Sequence, residues 1–183
     1  MSILFLIGPR GSGKTVAAAL LERDYACRAC DTDALIQEAS GRTVAEIVAE
    51  EGWSAFRERE KNALRACVAR MADTPSSALV VATGGGIVLD PDNCSFMRAH
   101  GVVVYLAASA DVLASRLELP AKDSSRPSLT GLPLKQEIMQ VLKERLPLYN
   151  ATAHHTVDAA LPPEEVARTL SCLLSSECAG GAL

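Results

Sequence analysis

The chain has 183 residues, the length of about one domain. Hydrophobic residues make up 49% and charged residues 22% of it, which is enough for one core and excludes a disordered chain. The 18 basic and 22 acidic residues give a net charge of −4, and aromatic residues are only 4%, so the chain is not built to coat nucleic acid or stack bases. An anion site must therefore use a few placed cations and backbone N–H groups.

Apolar strands alternate with helical segments along the chain, which predicts one α/β domain over residues 1–174 with a parallel sheet. The predicted strands are residues 3–7, 25–30, 78–82, 102–106 and 156–159. The predicted helices are residues 15–23, a helix opening at a capping box over 43–46, residues 53–71, a short helix from residue 90, and residues 110–117, 133–149 and 163–174. Residues 119–131 are rich in Pro, Ser and charge and predict a mobile loop, and residues 175–183 predict a frayed tail.

A glycine-rich turn, G-P-R-G-S-G-K-T over residues 8–15, follows the first predicted strand and opens the first helix. It fits the phosphate-binding pattern G-x-x-x-x-G-K-[ST] in the strand–turn–helix context that the pattern requires. Its backbone N–H groups and the helix N-terminus attract phosphate, Lys14 can reach the β- and γ-phosphates, and Thr15 can ligate Mg²⁺. The alternative is a chance glycine-rich turn. We predict nucleoside triphosphate binding.

Acidic and glycine-rich segments follow two other predicted strands, Asp31-Thr32-Asp33 after the second and Gly84-Gly85-Gly86 after the third. Ligands bind at the carboxyl ends of parallel strands, so Asp31 is a candidate for holding Mg²⁺ and Asp33 for binding a substrate hydroxyl and accepting its proton. The glycines would let a ligand lie against bare backbone. An ordinary helix N-cap at the aspartates and a flexible turn at the glycines stay open as alternatives.

Two helices carry an arginine on an otherwise apolar face. At about 100° per residue, Arg57 and Glu60 share the face of Trp53 and Phe56, and Glu60 can pair with Arg57 and hold its guanidinium. On the helix of residues 133–149, Arg145 lies near the centre of the apolar stripe, before Pro147, which could end or kink the helix. The pattern indicates a buried anion site. An arginine that only borders the stripe and reaches for solvent remains the alternative.

Six cysteines are scattered along the chain, at positions 27, 30, 67, 94, 172 and 178. A domain of this size does not need disulfide staples, and the C-x-x-C at Cys27 and Cys30 lacks a second ligand pair for zinc, so a redox or zinc role there is a minor alternative. The apolar run before Gly8 has no basic segment or cleavage site, and no run approaches the ~18 residues of a membrane span. We expect a cytoplasmic protein with reduced thiols and no membrane contact.

Together these motifs resemble the shikimate kinase family of P-loop proteins, over residues 3–174. The resemblance rests on G-P-R-G-S-G-K-T, D-T-D, F-R-E-R-E, T-G-G-G, S-R-P-S-L-T-G and L-K-E-R-L-P-L-Y in that order. It implies a three-layer sandwich around five parallel strands in the order 2-3-1-4-5, like that of nucleoside monophosphate kinases. The strand order comes from the resemblance alone.

The resemblance also implies roles for individual residues. ATP contacts fall on Gly11, Ser12, Gly13, Lys14, Thr15, Val16, Arg116 and Arg126. Substrate contacts fall on Asp33, Arg57, Gly84, Gly85, Gly86 and Arg145. Catalytic roles fall on Lys14, Asp33 and Arg126, one Mg²⁺ is handled by Thr15 and Asp31, and Glu60 orients Arg57. The loop of residues 119–131 would be the lid that carries Arg126.

The implied activity is ATP-dependent phosphorylation of shikimate at its 3-hydroxyl, a step in aromatic amino-acid biosynthesis by way of chorismate. The implied partners are ATP, with Mg²⁺, and shikimate, in a monomer that binds no nucleic acid. Two alternatives remain at this point. One is a kinase of another small hydroxy acid such as gluconate, and the other is a non-catalytic nucleotide-binding regulator on the same fold.

Overall fold

The computed structural model of the chain describes residues 2–70, 78–118 and 131–180. Five strands form one parallel sheet in the order β2-β3-β1-β4-β5, which confirms the expected order. The strands are β1 (Ser2–Ile7), β2 (Arg28–Asp31), β3 (Ala78–Ala82), β4 (Val102–Ala107) and β5 (His155–Asp158).

The helices pack on both faces of the sheet. They are α1 (Lys14–Asp24), α2 (Thr32–Ser40), α3 (Val44–Ala69), α4 (Pro91–His100), α5 (Ala110–Glu118), α6 (Leu134–Thr152) and α7 (Pro163–Gly180), with a 3₁₀ turn over Ile87–Leu89. The helix α2 was not predicted. The two predicted helices after residue 43 are the halves of α3, separated where Gly52 leaves helical geometry at φ 82°. The last helix continues to Gly180, past its predicted end at residue 174.

Two apolar cores lie against opposite faces of the sheet, since successive strand residues point to opposite sides. On one face Leu4 and Leu6 pack with Leu21 of α1 and Leu170 of α7. On the other, Phe5 and its neighbours pack with residues of α3, α4 and α6, namely Leu64, Cys67, Met97 and Tyr149. The fold is therefore the expected three-layer α/β/α sandwich.

Hydrogen bonds made by two threonines connect the segments at the carboxyl ends of the strands. Thr83, just after β3, donates its N–H and its Oγ1 to the carbonyl oxygen of Leu6, at 3.2 and 2.9 Å. The Oγ1 of Thr32, at the start of α2, accepts from the N–H of Gly84 at 3.1 Å. These bonds bring the segments after β1, β2 and β3 side by side, which is where parallel sheets bind ligands.

The cysteines differ from expectation. Cys30 of β2 and Cys67 of α3 form a disulfide, with their Cα atoms 6.1 Å apart, so the expectation of reduced thiols is wrong for this pair. Cys27 is buried and free, so the C-x-x-C does not form a disulfide of its own.

Over residues 2–70, 78–118 and 131–180, no three His, Cys, Asp or Glu side chains cluster to hold a metal. Within those same residues, every helix is too short or too polar to span a bilayer.

Burial predicts the effect of truncating the core. Leu170 of α7 is fully buried, whereas Leu161 is 40% exposed. We expect Leu170→Ala to lower the free energy of unfolding by about 2–5 kcal/mol, because it removes buried methyl groups and leaves a cavity. Leu161→Ala is the control, and it should lower the free energy of unfolding by much less. Urea unfolding followed by circular dichroism measures both, and equal losses would contradict the described packing.

Candidate active site

A cleft opens at the carboxyl edge of the sheet, between the phosphate loop, α3 and α6. Apolar side chains form its walls, and charged groups converge at its base. Residues that line it include Arg10, Asp33, Trp53, Phe56, Arg57, Glu60, Gly84, Gly85, Gly86, Glu137, Ile138, Val141 and Arg145. Such a cleft suits a small ligand held by a few polar groups.

The phosphate loop wraps around Lys14. Gly8, Gly11 and Gly13 have φ values of 146°, 82° and 90°, a region that side chains disfavour. The buried ammonium of Lys14 donates to the carbonyl oxygens of Gly8 and Pro9, at 2.8 Å each. The helix α1 begins at Lys14 with no side-chain cap from the described residues, which leaves its first N–H groups to an anion.

Asp31 has two roles in one carboxylate. Its Oδ2 accepts from the Oγ1 of Thr15 at 2.7 Å. Its Oδ1 accepts from the N–H groups of Asp33 and Ala34, so Asp31 is also the N-cap of α2. The N-cap alternative is therefore confirmed for Asp31, and its role toward Mg²⁺ stays a prediction. A carboxylate and a hydroxyl beside a phosphate loop are oxygen donors of the kind that Mg²⁺ prefers, so these two residues fit the ion.

Two carboxylates converge on the bare backbone of Gly84. Asp33 is 6% exposed and Glu60 is fully buried, although they lie on different helices. A Cβ built on Gly84 would stand 3.0 Å from Oδ1 of Asp33 and would overlap Oε1 of Glu60. Only glycine fits here, so the first glycine of the triplet is required by close packing rather than by a flexible turn.

Arg57 and Glu60 form the pair that helix periodicity predicts. Nη1 of Arg57 donates to Oε2 of Glu60 at 2.5 Å. Burial raises the pKa of Glu60 above its ordinary value, and the charge of Arg57 opposes that rise. The guanidinium lies over the rings of Trp53 and Phe56, with its Cζ 5.4 and 5.5 Å from their centroids, and a Cβ on Gly86 would overlap it. Arg57 therefore faces the cleft and is not a border residue reaching for bulk solvent.

Arg145 comes to the same cleft from α6. Its Nη1 donates to the carbonyl oxygen of Gly85 at 3.0 Å. The helix runs through Pro147 to Thr152, so the proline does not end it. The same carbonyl accepts from the hydroxyl of Tyr149 at 2.6 Å. Helix periodicity places Tyr149 on the apolar face of α6 and gives no sign of this hydrogen bond.

Arg116 joins two segments at the edge of the phosphate loop. It donates to the carbonyl oxygens of Gly11 and Ala159, at 3.3 and 2.7 Å, and so links the phosphate loop to the turn after β5. Val16 lies in the first turn of α1 and is half exposed. Arg126 and most of the expected lid lie outside the described residues.

The sequence is similar to a family of known proteins. The profile of a family described as shikimate kinase matches residues 10–174. Shikimate kinase 2 of Yersinia enterocolitica is 48% identical over 174 residues, which are 95% of this chain and 96% of that protein. Shikimate kinase 2 of an Enterobacter species is 46% identical over 176 residues, which are 96% of this chain and 97% of that protein.

Solved structures agree in fold. Shikimate kinase from Acinetobacter baumannii, in complex with shikimate, superposes with a TM-score of 0.83 at 30% identity and covers 97% of this chain and 94% of that one. Shikimate kinase from Bacteroides thetaiotaomicron gives a TM-score of 0.79 at 33% identity, covering 95% of this chain and 98% of that one. With its phosphate loop, its arginine–glutamate pair and its glycine turn in one cleft, the chain belongs to the shikimate kinase family.

Proposed function

We propose that the chain transfers the γ-phosphoryl group of ATP to the 3-hydroxyl of shikimate in this cleft, giving shikimate 3-phosphate and ADP. One observation carries the proposal. Arg57 and Arg145, from two different helices, line one small cleft with the carboxylate of Asp33, next to the phosphate loop. Two cations beside a hydroxyl-binding carboxylate suit a ring that bears one carboxylate and adjacent hydroxyls.

The arginines would hold the substrate carboxylate. Each guanidinium has donors beyond those used on Glu60 and on Gly85, and both residues line the cleft. Charge-assisted, bidentate bonds fix both position and orientation. Glu60 holds Arg57 in one rotamer, and the bare backbone of Gly84, Gly85 and Gly86 leaves room for the ring.

The phosphate loop would hold ATP. Lys14 and the N–H groups at the start of α1 neutralise the β- and γ-phosphates, and Arg116 lies at the nucleotide side of the loop. Thr15 and Asp31 would hold Mg²⁺, which when bound would offset the negative charge of the phosphates. In this proposal Val16 and the loop residues Gly11, Ser12 and Gly13 contact the phosphates and the nucleoside.

The proposed phosphoryl transfer depends on how the two substrates are positioned. The substrate 3-oxygen forms a bond to the γ-phosphorus as the bond from that phosphorus to the β,γ-bridging oxygen breaks, and ADP leaves with that oxygen. The hydroxyl proton passes to the carboxylate of Asp33. By resemblance, Arg126, which lies outside the described residues, would contact the transferring group, and the segment of residues 119–131 would exclude water that hydrolyses ATP. We propose that residues 1–174 act as one domain, in a cytoplasmic monomer.

The direct test is substrate choice. A coupled assay of ADP release, run first with shikimate and then with gluconate, should give turnover with shikimate only. Mass spectrometry should find one added phosphate, and phosphorus-coupled NMR should place it on the 3-oxygen. Turnover with gluconate and none with shikimate would replace the proposal with the other small-acid kinase. ATP binding without any turnover would favour the non-catalytic regulator.

The carboxylate role of Arg57 predicts a selective loss. Arg57→Ala should lower kcat/KM for shikimate roughly 10-fold or more, the size of one charged hydrogen bond, and leave the KM for ATP within about twofold. Arg59→Ala is the matched control, because Arg59 lies on the same helix and its guanidinium pairs with Glu51. Shikimate kinetics that stay unchanged in Arg57→Ala would remove Arg57 from the substrate site.

The metal role of Asp31 can be separated from its capping role. Asn caps a helix as well as Asp does, so Asp31→Asn should keep α2 folded while weakening the ion site. We expect the Mg²⁺ concentration for half-maximal activity to rise several-fold. Asp90→Asn is the control, since Asp90 caps α4 through the N–H of Asp92. An unchanged Mg²⁺ requirement in Asp31→Asn would contradict the assignment.

A further inference from the structure

Tyr149 makes a hydrogen bond at the base of the cleft that has no role in the proposed reaction so far. The side chain is fully buried, and its hydroxyl donates to the carbonyl oxygen of Gly85 at 2.6 Å. Nη1 of Arg145, one helical turn earlier, donates to the same oxygen at 3.0 Å. Two side chains of α6 therefore fix one carbonyl at the base of the cleft.

That carbonyl lies at the centre of the glycine turn. Gly84 on one side packs against the carboxylates of Asp33 and Glu60, and Gly86 on the other packs against the guanidinium of Arg57. Glycine has no side chain to restrict its backbone, so the peptide plane at Gly85 needs an external anchor. The turn is also held at its entry by Thr32 and at its exit by backbone bonds from Ile87 and Leu89. Tyr149 and Arg145 hold its middle.

The hydroxyl is itself held rigidly. The ring of Tyr149 stacks on that of Tyr105 of β4, with centroids 5.0 Å apart and planes 15° from parallel. Burial raises the pKa of Tyr149 to about 12, so the phenol stays protonated and remains a donor near neutral pH. The donor is thus fixed by the sheet and is present at that pH.

We propose that Tyr149 is a positioning residue for the substrate carboxylate: by holding the carbonyl of Gly85, it fixes the oxygen on which the guanidinium of Arg145 docks. This inference rests on the proposed role of Arg145 in binding shikimate. Without the hydroxyl, the Gly85 carbonyl has Arg145 as its single side-chain donor within the described residues, and both become free to turn. The guanidinium of Arg145 then loses more conformational entropy when it binds the carboxylate, and the affinity for the substrate falls.

The test compares two stacked tyrosines, of which only Tyr149 donates its hydroxyl to the carbonyl of Gly85. Tyr149→Phe removes the hydroxyl and keeps the stacked ring. Tyr105→Phe is the matched control, since the Tyr105 hydroxyl makes no hydrogen bond among the described residues. We expect Tyr149→Phe to raise the KM for shikimate roughly tenfold, with kcat and the KM for ATP within about twofold, the signature of lost uniform binding. Tyr105→Phe should leave all three near wild type.

A double-mutant cycle shows whether the effect passes through Arg145. Added to Arg145→Ala, Tyr149→Phe should change the KM for shikimate by less than twofold, because the docking group is already gone. A full tenfold effect in that background would overturn the proposal, as would a wild-type KM in Tyr149→Phe alone. Thermal melting accompanies each variant, since a purely structural role would lower the Tm without a selective change in the KM for shikimate.

A second variant keeps the inference testable if Tyr149→Phe does not fold. Site-specific 3-fluorotyrosine at position 149 keeps the ring and the donor, so the KM for shikimate should stay near wild type. Its fluorine NMR signal should shift on saturation with shikimate and not with an equal concentration of gluconate. No shift with shikimate would overturn the positioning role. The wild-type protein is assayed alongside: no turnover of shikimate there would remove the proposed function itself, whereas turnover would leave only the role of Tyr149 in question.

Discussion

The site depends on close packing of charged groups against bare backbone at Gly84 and Gly86. A Cβ at Gly84 would overlap Glu60, and one at Gly86 would overlap Arg57, so the Arg57–Glu60 pair can sit at the base of the cleft only because these side chains are missing. A buried ion pair is costly unless its geometry is good, and here it holds one guanidinium in a single orientation. The hydrogen bonds at the strand ends keep the glycine turn in place, which ties the sheet to the chemistry.

The net negative charge of the chain coexists with a local cluster of cations in the cleft. A net charge of −4 excludes broad contact with polyanions, yet the cleft presents Arg57 and Arg145 to one side and the phosphate loop with Lys14 to the other. Each cation is held by a partner, either a carboxylate or backbone carbonyls. The positive potential is therefore local, which suits a small carboxylate and a nucleotide rather than a nucleic acid.

Much of this could be predicted from short-range patterns. The phosphate loop follows from eight adjacent residues, and helix periodicity alone places Arg57, Glu60 and Arg145 on inward faces. Residues 32–40 were missed as a helix because the stretch has only nine residues, too few to repeat an apolar pattern over more than about two turns. The Cys30–Cys67 disulfide joins residues 37 apart, and the Tyr149 hydroxyl reaches a carbonyl 64 residues away. Contacts of that range depend on how β2, α3 and α6 pack, which no local pattern reports.

The central claim is that the paired arginines recognise the substrate through its carboxylate. The most direct measurement is an enzyme–ligand cycle that compares shikimate with its carboxamide on the wild-type protein and on Arg57→Ala. The account predicts that the wild type loses at least roughly tenfold in kcat/KM with the amide, whereas Arg57→Ala, which keeps only Arg145 at the carboxylate, loses several-fold less. Equal turnover of shikimate and its amide by the wild type would contradict the account.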